Sequence, residues 1–144
     1  MIIFLDSDVI ISSLISQKGA AYFLVNEPTK STKFISSLSY KELCIVIKRL
    51  NLSRNKLDKC LSKIEKISIT KSAKFDNYVF DLFDAHIVAG AVKSQSRFLI
   101  SYNVRHFDVE KIKRDFNILV YSPGQFLQYL RSQCIAGLQM KQNS

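Results

Sequence analysis

The chain has 144 residues, 47% of them hydrophobic, with only 4 Gly and 2 Pro, which suits one domain of long elements around one core. Lys and Arg outnumber Asp and Glu by 21 to 12, and the net charge of +9 favours polyanionic partners, nucleic acid ahead of an anionic membrane surface. No apolar run approaches the ~20 residues of a membrane helix, Met1–Leu5 is too short for a signal-peptide core, and three cysteines without C-x-x-C spacing suit a reducing compartment, so a soluble cytoplasmic protein is expected.

Ile2–Leu5 is short, wholly apolar and rich in β-branched residues, the pattern of a buried parallel strand, and its carboxyl end carries Asp6 with Asp8 just beyond. Val9–Val25 permits a helix through Ile10, Leu14, Ala21 and Leu24, loosened around Lys18-Gly19, and Asn26–Thr32 with Pro28 reads as a loop. Phe34-Ile35 makes a second strand. Ser39 then opens a helix through Leu43, Ile47 and Leu50. Another helix starts near Ser53 with Leu57, Cys60, Leu61 and Ile64 facing inward. Lys56, Lys59, Lys63 and Lys66 recur on that helix at helical spacing and form a basic stripe.

Ile67–Thr70 is a third strand, and Asp81–Lys93 is a helix whose Ala85, Ala89 and Gly90 allow close approach. Phe98–Ser101 and Ile118–Tyr121 are strands four and five. Ser122-Pro123-Gly124-Gln125 places Ser at a cap, Pro at the first helical position and Gln three residues after the Ser, a strong helix start. Residues 1–132 form the domain, and 133–144 is a polar, flexible tail. Short apolar strands alternating with helices predict an α/β/α arrangement over a central, mostly parallel sheet of about five short strands. The functional site should then lie beyond the carboxyl ends of the strands.

Each acid near that edge has an ordinary explanation. Asp6 and Asp8 could be solvated strand-end residues, and Glu42 stands three residues after Ser39, the spacing of a capping box. Asp81 and Asp84 share the first turn of a helix, where acids favour the dipole. His86 and His106 lack the spacing of a zinc pair, and suit structural or phosphate-contacting roles. Yet Asp6, Glu42, Asp84 and Asn103 all follow a strand or open a helix at one edge. Like charges meeting there would repel unless a hard divalent cation such as Mg²⁺ or Mn²⁺ joined them. Such an ion would neutralise a scissile phosphate and ease deprotonation of a water, which suits phosphodiester hydrolysis.

Four segments in this order resemble the PIN domain family, especially its VapC-like toxin ribonucleases. They are Ile3–Ser12, Ser39 through Leu43, Asp84–Ala91, and Leu99–Asn103 with His106-Phe107, and the resemblance covers roughly residues 1–131. It implies a PIN-like fold, a magnesium- or manganese-dependent endoribonuclease leaving 5′-phosphate and 3′-hydroxyl ends, a homodimer and, for a toxin, a cognate antitoxin partner. By position, Asp6, Glu42 and Asp84 would be the metal-site acids, with Asp8, Ser12, Asp81 and Ser101 beside them. Asn103 stands where many members carry a fourth Asp, so the site loses one negative charge and should hold metal more weakly. Lys56, Lys59, Lys63, Lys93, Arg97 and Arg105 become RNA phosphate contacts, against the plainer reading of solvated side chains.

Two other readings compete. Strand-Asp-x-Asp-Val also opens haloacid-dehalogenase-like phosphotransferases, with Asp6 as nucleophile and Asp8 as acid/base, although no later acidic pair follows strand four. A PIN module that binds RNA or a protein without cutting is the other, favoured by Asn103 alone.

Overall fold

In the computed structural model, which describes residues 1–27 and 31–142, the N-terminal apolar run forms β1 (Ile2–Leu5) at the centre of a sheet. It pairs in parallel with β2 (Thr32–Ser36) on one side, Ile3 opposite Lys33, and with β4 (Phe98–Ile100) on the other, Phe4 opposite Leu99. The edge strands β3 (Glu65–Ile67) and β5 (Leu119–Tyr121), also parallel, complete the order β3-β2-β1-β4-β5.

Side chains alternate across a strand, so β1 feeds two cores. Ile3 and Leu5, with Ile35, Phe98 and Ile100, pack beneath α1 (Ser7–Ile15), α2 (Ala20–Asn26), α3 (Ser37–Arg49), α4 (Arg54–Leu61) and the start of α7 (Pro123–Gln142). Phe4 and Leu99 point the other way, into a cluster with Ile87, Val88 and Ala91 of α5 (Ala85–Lys93) and Ile112 of α6 (Val109–Phe116). Covering both faces makes three layers and explains why β1 is apolar throughout. Gly90 lets α5 settle on β1, because a Cβ there would collide with the Phe4 ring.

Several boundaries differ from expectation for identifiable reasons. The expected helix Val9–Val25 is two, α1 and α2, because both Ser16 and Gly19 take extended backbone. α3 starts at Ser37, since Ser36 rather than Ser39 is the cap: its Oγ accepts from Ser39 N at 2.9 Å. The capping box between Ser39 and Glu42 therefore does not form, and Ser39 is fully buried within the helix. β3 comes earlier than Ile67–Thr70; an exposed edge strand needs no apolar run, and Glu65-Lys66 serve.

The first turn of the Asp81–Lys93 helix is instead a 3-10 turn, Leu82–Asp84, capped by Asp81, which accepts from Phe83 N. No element was expected between Asn103 and Ile118, yet α6 lies there, capped by Asp108 and closed by Asn117 in the left-handed region at φ 55°. The α7 start has the anticipated reciprocal cap, Ser122 N to Gln125 Oε1 and Gln125 N to Ser122 Oγ. α7 runs on as helix to Gln142, past Gln133 where a flexible tail was expected, although from Arg131 to Met140 its residues are all exposed. Pro28, in the expected loop, lies outside the described residues. Among those described, no helix is long and apolar enough to cross a membrane.

Candidate functional site

With β1 between β2 and β4, three carboxyl ends open side by side, and the chain brings an acid or a hydroxyl to each. Asp6 follows β1 directly and donates its backbone N–H to Ile100 O of β4. Ser101 follows β4, and its hydroxyl donates to Asp6 Oδ2 at 2.7 Å. α3 starts where β2 stops, so its second turn presents Glu42. Ser7 Oγ sits between the two acids, 3.1 Å from Glu42 Oε2 and 3.4 Å from Asp6 Oδ1. One hydroxyl thus separates two carboxylates that are 36 positions apart in the chain, since Glu42 minus Asp6 is 36.

Asp8 ties the loop after β4 to α1. Its Oδ2 accepts from Tyr102 N at 3.1 Å, Asn103 Nδ2 at 3.2 Å and, more weakly, Ser101 Oγ at 3.4 Å. Asn103 was expected to face the ion in place of an acid; here its amide nitrogen is engaged by Asp8. Replacing it with Asp would swap that hydrogen bond for a contact between carboxylates. Asn103→Asp should cost about 1 kcal/mol in denaturant unfolding at neutral pH without divalent ions, and Asp8→Asn in the same chain should recover most of it. No recovery in the double variant would show that the pair does not act together.

The third acid arrives from the other face. Asp84 ends the 3-10 turn just before α5, and its Oδ2 lies 2.8 Å from His106 Nδ1. The tight turn brings Asp81 round to the same side, so Asp81, Asp84 and His106 offer ligand atoms within 4.8 Å of one another. His106 was expected to be structural or phosphate-contacting, and its ring instead joins the acids. His86 Nδ1 contacts Ser36 Oγ at 2.8 Å, linking α5 to the α3 cap.

Burial sets the electrostatics. Asp6, 6% exposed, is pushed up to about 7, by desolvation first and then by the charges of Asp8 and Asp84, with the Ser101 hydrogen bond opposing. Asp8 and Asp84 are raised as well, both chiefly by desolvation, while burial lowers His86 despite Glu42 and Asp84 nearby. Buried carboxylates resisting ionisation together are what a cation would relieve. Asp8 Oδ1 is buried and has no hydrogen-bond partner among the described residues. Carboxylates with hydroxyl support suit a hard divalent cation. Among the described residues, those whose ligand atoms converge are Asp81 and Asp84 with His106, and neither Asp6 nor Glu42 belongs to that group.

The basic residues divide. Arg105 is exposed in the turn Val104–His106, directly after Asn103 and on the acidic edge. Arg97 lies at the opposite end of β4, where its N–H bonds Ile2 O and its guanidinium stacks over Phe98 and Tyr129. Lys63 also sits at the amino edge, 3.4 Å from Asn26 Oδ1 and close enough to affect Lys33 at the start of β2. α4 ends at Leu61, so Lys63 lies beyond the helix and Lys66 falls in β3, where its ammonium sits over the Tyr40 ring. Lys56 and Lys59 are exposed on α4, and Lys93 bonds Ser68 O at 2.7 Å. Ser12 contacts Tyr102 OH at 3.4 Å, at the rim. Ser7 and Ser36 escaped sequence reasoning, as did the pairing of His106 with Asp84, and only the adjacency of Ser7 to Asp6 could have flagged any of these.

No family model matches the sequence, and neither does any curated protein. Solved structures do match. A chain of VapBC2 from Rickettsia felis, bound to a DNA fragment from its promoter, has a TM-score of 0.58 at 20% identity, over 85% of this chain and 98% of that one. A chain of a toxin–antitoxin complex from Klebsiella pneumoniae has a TM-score of 0.62 at 21% identity, over 83% of this chain and 96% of that one. At such identities the likeness is one of fold, and it extends along nearly the whole length of both solved chains. This chain has a PIN-like fold, five parallel strands between two helical layers, in common with chains of both complexes.

Proposed function

We propose that the chain is a Mg²⁺- or Mn²⁺-dependent endoribonuclease, the toxin of a toxin–antitoxin pair, acting in the cytoplasm as a homodimer. The observation that carries this reading is the hydroxyl-linked run Ser101–Asp6–Ser7–Glu42 at the strand ends, with Asp84 close enough for its charge to raise Asp6. The fold shared with VapBC2 and with the Klebsiella complex supports a cognate antitoxin as partner.

Asp6, Glu42 and Asp84 would hold the ion, which when bound neutralises phosphate charge and makes a water more acidic. Ser7 and Ser101 fix the Asp6 and Glu42 carboxylates so that they do not swing apart in its absence. Asp8 holds the loop that carries Ser101. His106 orients Asp84 through Nδ1, and Arg105 lies where it can meet a phosphate of the strand. In the net reaction water adds to phosphorus and the bond to the 3′-oxygen breaks, leaving 5′-phosphate and 3′-hydroxyl ends.

A phosphotransferase would need Asp8 available to shuttle a proton. It would also need a later acidic pair, whereas Tyr102 and Asn103 follow Ser101 after β4, which favours the nuclease. The test is cleavage of labelled RNA by the intact protein. Cutting should need Mn²⁺ or Mg²⁺, stop with EDTA and fall at least about a hundredfold in Asp84→Asn. Cleavage that survives EDTA would rule the reading out, and RNA binding without cleavage in any divalent ion would favour the non-cutting module.

A further inference from the structure

A cavity of about 810 Å³ opens beside the acids rather than among them. One wall is the segment from Ser68 to Asp76, which enters the 3-10 turn Ala73–Tyr78, the other is α5, and Leu38 at the start of α3 closes one end. The cavity is thus bounded by the same two helix starts that deliver Glu42 and Asp84. Phe83 and His86, which bracket Asp84 in the chain, both line it.

Three features of this cavity call for a ligand of one kind. Phe83 is 86% exposed and its neighbour Leu82 66%, apolar surface that no part of the chain covers among the described residues. Lys71, Lys74 and Lys93 line the walls against a single acid, Asp76, so a polyanion is favoured over an acidic or neutral peptide. The volume falls within the roughly 300–1,000 Å³ of small-ligand sites, room for one nucleotide and far too little for a duplex.

We propose that this cavity is a nucleotide subsite, which takes one unpaired base next to the scissile phosphate, stacks it on Phe83 and meets the flanking phosphates with Lys71 and Lys74. The inference rests on the ribonuclease reading and sharpens it: the RNA is single-stranded where it is cut. A base in a duplex would first have to leave its stack. An aromatic platform with cations beside it holds any base by its π-face, so the site selects unpaired structure more than sequence.

The test separates the two claims by measuring binding in EDTA, where no cutting occurs. The probe is a short single-stranded RNA containing one 2-aminopurine, compared with the same strand annealed to its complement. The single strand should bind more tightly, with 2-aminopurine fluorescence quenched. Phe83→Ala, at a position too exposed to threaten the fold, should weaken binding roughly tenfold and abolish the quench. Lys71→Ala should flatten the dependence of log affinity on log salt. Equal binding of duplex and single strand, or affinity and quench unchanged in Phe83→Ala, would overturn the subsite and leave the cavity to an apolar peptide. Because Mn²⁺-dependent cleavage is scored separately on the same variants, the nuclease reading can survive that result. A quench that depends on Phe83, with no cleavage in any divalent ion, would instead sink the nuclease and the placement beside a scissile phosphate.

Discussion

Asp6→Asn should lose RNA cleavage and, without divalent ions, give a protein that is more stable than the parent at neutral pH. The two effects have one cause. Asp6 is buried, and desolvation together with the charges of Asp8 and Asp84 pushes its carboxyl up to about 7. A carboxyl raised in the folded state binds its proton more tightly there than in the unfolded chain. Its contribution to stability is therefore full below the ordinary value of 3.8 and is lost as pH rises towards about 7. Asn matches the shape of the protonated acid, and its side-chain oxygen can still accept from Ser101, but it never ionises. Metal-free stability at neutral pH should rise by about 1–3 kcal/mol, and the fall in stability between acid and neutral pH should flatten. Denaturant unfolding in EDTA across that range measures both. Cleavage in Mn²⁺ should drop at least about a hundredfold, because the proposed ion site loses one of its charged groups. A structural acid would behave oppositely: its Asn variant would be less stable and would still cut.

Much of this centre was legible from residue order alone. An acid directly after a wholly apolar run can only end a buried strand, so Asp6 marked the carboxyl edge before any coordinates. Glu42 and Asp84 then fell on that edge because each opens a helix after the chain has crossed the sheet. Side-chain partners were not legible, since they depend on distances across strands. Ser7 bridges Asp6 to Glu42 and His106 meets Asp84 only once β1, β2 and β4 lie side by side. The capping of α3 was misjudged for a related reason. Ser36 and Ser39 stand three residues apart, as do Ser39 and Glu42, and spacing alone could not say which pair forms the cap.

Periodicity likewise reports a helix face but not the end of the sheet on which that face is displayed. The expected lysine stripe breaks up, because α4 ends at Leu61: Lys56 and Lys59 are on it, Lys66 is in β3, and Lys63 lies by the amino end of β2, far along the strands from Asp6. Arg97 suffers the same reversal, for it precedes β4 whereas the site follows it. The edge strand β3 and the thin helix α6 were obscure because burial leaves a faint mark on them. β3 is exposed at Glu65 and Lys66, and in α6 Ile112 alone is buried.

Gly90→Ala should cost about 1–3 kcal/mol, against the usual gain when Ala replaces Gly within a helix. Gly90 lies on the face of α5 turned to β1, and a methyl there would enter the ring of Phe4, which is fully buried with no room to turn aside. The helix must then lift from the sheet. Phe4→Leu alone should also cost stability, through the cavity it leaves. Combined with Gly90→Ala it should cost less than the two penalties together, because the smaller side chain yields space to the methyl. Thermal or denaturant unfolding of the four proteins closes the cycle, and additive penalties would mean that the helix is not seated through this contact. The consequence reaches the acids: Phe4 stands two residues before Asp6, and Gly90 lies on the helix that Asp84 opens. Lifting α5 from β1 moves Asp84 away from Asp6, so Gly90→Ala should also weaken Mn²⁺ binding although no ligand has changed. Unaltered Mn²⁺ affinity in a destabilised Gly90→Ala protein would show that Asp84 is held by its 3-10 turn and His106 rather than by the helix behind it.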